Sequence, residues 1–98
     1  MRLSDEEVRA IKAAGTHAFG ADAVIRLFGS RVDDQRRGGD IDLHVEVAPG
    51  TDEVAARLRF ERYLFARIEE QKVDVILHAR DDTPSGIDVI AHRDGVVL

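Results

Sequence analysis

The sequence predicts one small α/β domain, and three observations carry that expectation. Segments with the 3.6-residue period of a helix alternate along the chain with segments of the two-residue period of a strand. Ninety-eight residues, 44% of them hydrophobic, suffice for one modest core and no second one. No internal repeat, low-complexity tract or linker interrupts the pattern, so residues 1–98 read as a single domain.

The elements follow in order. Ser4-x-x-Glu7 is a capping-box pattern, in which each side chain satisfies the other residue's free backbone N–H, and it opens a helix running to Phe19. Val8, Ile11, Gly15, Ala18 and Phe19 fall on one face of it, and Gly20 supplies the stop. Ala23 to Phe28 is a β-rich apolar run that ends at Gly29-Ser30, which predicts a largely buried strand and then a sharp turn. Residues 31–39 are polar and close on paired glycines, as a loop does. From Asp40 to Val47 alternation is strict: Ile41, Leu43, Val45 and Val47 face one side, Asp40, Asp42, His44 and Glu46 the other. A helix is expected from Asp52 to about Glu70 with Val54, Leu58, Leu64, Phe65 and Ile68 as its apolar stripe, although Glu61 falls inside that stripe. Lys72 to His78 alternates again, with Asp74, Ile76 and His78 on one face. Thr83-Pro84 reads as a cap followed by a first helical residue, Ile87, Ile90 and Ala91 as a short buried stripe, and Val96-Val97-Leu98 as a segment that packs or pairs at an edge.

Composition closes several routes. A net charge of −5 argues against a sequence-independent grip on a nucleic-acid backbone, and five aromatic residues without Trp make a poor base-stacking platform. Zero cysteines exclude disulfides and thiolate metal sites. No apolar stretch reaches the roughly 20 residues that span a bilayer, and the N-terminus turns acidic where a signal peptide would turn apolar, so a cytoplasmic protein is expected.

The residues that carry chemistry are Gly29-Ser30, then Asp40-Ile41-Asp42, then Asp74. Two aspartates at i and i+2 of a strand project from one face about 7 Å apart, where they repel unless cations or donors neutralise them. Asp74 interrupts the most apolar strand of the second half. Should that strand lie beside the 40–47 strand, Asp74 completes a three-carboxylate set of the kind that holds two divalent cations for phosphoryl or nucleotidyl transfer. Mg²⁺ suits such a set, since it takes a few carboxylates and substrate phosphates while keeping waters. A glycine directly after a strand lets backbone approach a phosphate, Ser30 adds a hydroxyl and an N–H, and Arg31, Arg36 and Arg37 lie in the loop that would cover the anion. Taken singly, Gly-Ser is a common turn, Asp-x-Asp an exposed strand face, and a lone strand Asp a ladder start; the order and strand context make the combination specific. His44 and His78 share the aspartate face and read first as solvated strand residues, with metal ligation as the lesser alternative. His17 and His92 read as surface groups on helices.

Leu27-Phe28-Gly29-Ser30-Arg31, Gly39-Asp40-Ile41-Asp42-Leu43 and Lys72-Val73-Asp74-Val75 together resemble the minimal nucleotidyltransferase (MNT) family of the DNA polymerase β-like superfamily. The resemblance covers nearly the whole chain. It implies the polymerase β-like fold, a small mixed sheet flanked by helices. It also implies Asp40, Asp42 and Asp74 as catalytic and metal-binding carboxylates, Gly29 and Ser30 as nucleotide-binding residues, and Arg31 as a family arginine beside them. Many such proteins act as antitoxins that transfer AMP from ATP onto a tyrosine of a HEPN-domain toxin.

The expected function is therefore an Mg²⁺-dependent nucleotidyltransferase using ATP and acting on a hydroxyl of a separate partner protein, because no acceptor-binding domain accompanies the catalytic core. The alternative is a non-catalytic antitoxin or scaffold module that neutralises a partner through its acidic surface. A nucleic-acid polymerase core is disfavoured by the acidity, and homo-oligomerisation is left open.

Overall fold

A computed structural model describes residues 3–29 and 41–98. Helix α1 (Asp5–Phe19) starts as its cap dictates: Ser4 Oγ accepts from Glu7 N at 3.1 Å and Glu7 Oε1 accepts from Ser4 N at 3.0 Å. Strand β1 (Val24–Phe28) pairs antiparallel with β2 (Ile41–Val47), and β2 pairs parallel with β3 (Val73–Ala79). The parallel pairing needs a crossover, which α2 (Glu53–Phe65) supplies. Helix α3 (Gly86–Asp94) then leads to a two-residue strand β4 (Val96–Val97), antiparallel to β1. The order across the sheet is β3-β2-β1-β4, and the described residues form a mixed α/β domain with three helices and four strands.

One sheet face carries the main core. Ile25 and Leu27 of β1, Ile41, Leu43, Val45 and Val47 of β2, and Val75 of β3 pack there against Ile11, Ala14 and Phe19 of α1 and Ala56, Phe60 and Leu64 of α2. The strict alternation of β2 translates directly, since all four apolar residues are at most 1% exposed. Gly15 lets α1 approach β1 closely, because a Cβ there would run into Ile25 Cδ1. Phe60 stacks on Phe19 with ring centroids 5.3 Å apart, joining the two helices.

Four expectations about the helices need correction, the first being that Ile87 and Ile90, expected in a buried stripe with Ala91, are 39% and 43% exposed. In α2 the buried residues are Ala56, Phe60 and Leu64, whereas Val54 and Leu58, expected in the stripe, are 70% and 50% exposed. At 100° per residue Val54 and Leu58 share the outward side, and Glu61 lies half-buried at the flank of the stripe rather than inside it. The helix ends at Phe65 rather than near Glu70, because Leu64 O accepts from both Arg67 N and Ile68 N, tightening the last turn and folding Ile68 back against the core. Helix α3 is capped by Ser85, not Thr83. A reciprocal bond needs an acceptor three residues on; from Thr83 that residue is Gly86, from Ser85 it is Asp88, whose Oδ2 accepts Ser85 N at 2.7 Å and Ser85 Oγ at 3.0 Å.

Candidate functional site

The β2–β3 register determines which polar residues meet. Asp42 pairs with Asp74, His44 with Ile76 and Glu46 with His78. Register partners on parallel neighbours point to one face, their backbones about 4.8 Å apart, so Asp42 and Asp74 stand side by side on the face opposite the main core. Asp42 is half-buried and Asp74 exposed. Asp40, Ser30 and Arg31, with Arg36 and Arg37, lie outside the described residues.

Gly29 follows β1 with φ +77°, in the left-handed region that disfavours side chains. Phe28 pairs with Asp42 across the β1–β2 ladder, which brings Gly29 against that aspartate. A Cβ on Gly29 would collide with Asp42 Oδ2 and lie 3.2 Å from its Cγ. Glycine therefore leaves the room that the carboxylate occupies. Carboxylate oxygens are hard donors of the kind that Mg²⁺ takes while it keeps several of its waters.

Next to the carboxylates the same face carries His44, Glu46 and His78, and α3 covers them. His44 was expected to be solvated; it is fully buried, its Nε2 donating to Asp88 Oδ1 at 2.7 Å. His78 is 12% exposed, its Nε2 donating to Asp82 O at 3.1 Å and lying 3.9 Å from Asp88 Oδ2. Glu46 Oε1 accepts from Arg26 Nη1 and lies against His92 Nε2, each at 2.7 Å, so His92 is tied to the sheet while still 43% exposed. Burial alone would raise the Asp88 carboxyl, but hydrogen bonds from His44 and Ser85, with His78 close by, outweigh it and bring it down from 3.8 to about 2. Asp88 is the residue that sequence reasoning missed. The Ser85-x-x-Asp88 spacing was an available signal for the cap; nothing local could link Asp88 to His44, 44 positions earlier.

The chain matches no protein-family model, and no curated protein matches it. Among the described residues, no helix is long and apolar enough to cross a membrane.

Proposed function

We propose that the protein is an Mg²⁺-dependent nucleotidyltransferase with the polymerase β-like fold, transferring AMP from ATP to a hydroxyl on a separate protein. The observation that carries this reading is the in-register pairing of Asp42 with Asp74 beside the positive-φ Gly29. Asp42 and Asp74, with Asp40, would hold Mg²⁺, which when bound supplies charge neutralisation at the triphosphate and acidifies the acceptor hydroxyl. Gly29, lacking a side chain, leaves its backbone open to the phosphates, and Ser30 and Arg31 follow it in sequence. Asp74, the exposed member of the pair, takes the acceptor proton on a carboxylate oxygen. The hydroxyl oxygen then bonds to the α-phosphorus and pyrophosphate leaves. On the resemblance to MNT proteins, the acceptor is a tyrosine of a HEPN-type toxin and the protein its antitoxin.

Label from α-³²P-ATP should pass to the co-expressed partner with wild-type protein and fall at least about 100-fold with Asp42→Asn or Asp74→Asn, the scale typical of losing charge stabilisation in a transition state. Undiminished transfer in both variants would refute the assignment.

A non-catalytic partner-binding role has its own support in the apolar residues on the outer side of α3, where Ile87, Val89 and Ile90 are 39%, 56% and 43% exposed. Variants of Asp42 and Asp74 that still neutralise the partner in cells would select this reading over catalysis.

A further inference from the structure

We propose that His44, His78 and Asp88 form a binding site for a zinc-type divalent cation, distinct from the Asp42–Asp74 pair, whose occupancy fastens α3 to the sheet. One ligand comes from each of β2, β3 and α3, and one donor atom from each residue lies within 4.8 Å of the other two. Zinc bonds of about 2.0–2.2 Å put tetrahedral ligand atoms roughly 3.3 Å apart. The observed 2.7 Å from His44 and 3.9 Å from His78 to the Asp88 carboxylate bracket that spacing, so small side-chain adjustments close the site.

Burial points the same way. The three side chains are 0%, 12% and 7% exposed in that order. Nε2 of each ring has a partner, yet Nδ1 of both His44 and His78 is buried with none among the described residues. The Nε2 atoms are the ones that face Asp88, so they are the ligand atoms, and a cation held there leaves each Nδ1 to carry its ring's proton. Two imidazoles and one carboxylate select zinc and similar dications over Mg²⁺, which prefers oxygen and sheds its waters reluctantly. Ser85 already orients the Asp88 carboxylate through two hydrogen bonds, as groups behind a metal ligand do.

The test uses the full chain, treated with chelator and titrated with ZnCl₂ without Mg²⁺ or nucleotide. Wild type should bind one equivalent and, at a hundredfold excess over Kd, gain at least about 10 °C in Tm. His44 is fully buried and its replacement endangers the fold, so the diagnostic variants are His78→Gln and Asp88→Asn, each expected to lose tenfold or more in zinc affinity. The Asp42→Asn/Asp74→Asn double variant should bind zinc as wild type does. Absence of stoichiometric binding by wild type overturns the proposal, as does unchanged affinity in both diagnostic variants or loss of the zinc equivalent in the double variant. No nucleotide enters the measurement, so it stands or falls apart from the transferase reading.

Discussion

Gly29 is the position where one methyl group should matter most. Alanine there meets an unfavourable left-handed φ and the Asp42 carboxylate together. Gly29→Ala should destabilise the fold by about 1–2 kcal/mol in urea titrations, the usual scale for a non-glycine residue in that region. It should also displace Asp42 and depress label transfer beyond what the stability loss explains. Asp88 supplies a residue-scale test in acid. Its carboxyl is lowered from 3.8 to about 2, so the ionised form stabilises the fold above pH 3.8 and that contribution is lost as pH falls towards 2. In chelator-treated protein this amounts to about 2 kcal/mol. Asp88→Asn should therefore be less stable than wild type at pH 6, and urea midpoints measured down a pH series should converge below pH 3.8.

At the scale of elements, α2 offers a direct test of which side faces in. Phe60→Ala removes a fully buried ring that stacks on Phe19 and should cost about 3–5 kcal/mol. Val54→Ser and Leu58→Ser lie outward and should each stay within about 0.5 kcal/mol; equal losses at Phe60 and Leu58 would mean the helix is rotated. Helix α3 gives a second contrast: Ser85→Ala should cost about 1 kcal/mol in thermal unfolding and Thr83→Ala almost nothing. These contrasts also show what was legible in the sequence. The period-two alternation of β2 and β3 announced both strands and their faces, because burial on one side of a strand repeats in the residue types themselves. Helix α2 misled because its buried side includes the small Ala56, while Val54 and Leu58, more apolar to the eye, lie outside. The Asp42–Asp74 meeting could be anticipated conditionally, since only the strand order was missing. His44–Asp88 could not, because it depends on which face α3 covers, a fact of tertiary packing with no local signature.

For the molecule as a whole, the two faces of the sheet have different tasks. One holds nearly all the apolar core between the strands and α1 and α2; the other gathers Arg26, Asp42, His44, Glu46, Asp74 and His78 under or beside α3. Helix α3 buries only Asp88 and Ala91, so polar pairs and, on our proposal, a cation attach it. The carboxylates of neighbouring strands have a consequence for evolution in the laboratory. Like charges directly across a ladder oppose folding by roughly 0.2–1 kcal/mol, so selection for robustness alone should drift away from the acid. Asp74→Asn should melt higher than wild type in Mg²⁺-free buffer while losing transfer. A library sorted purely for thermal resistance should accumulate neutral residues at position 74, trading chemistry for endurance. If Asp74→Asn melts lower, the carboxylate is a net support of the fold and that trade does not exist.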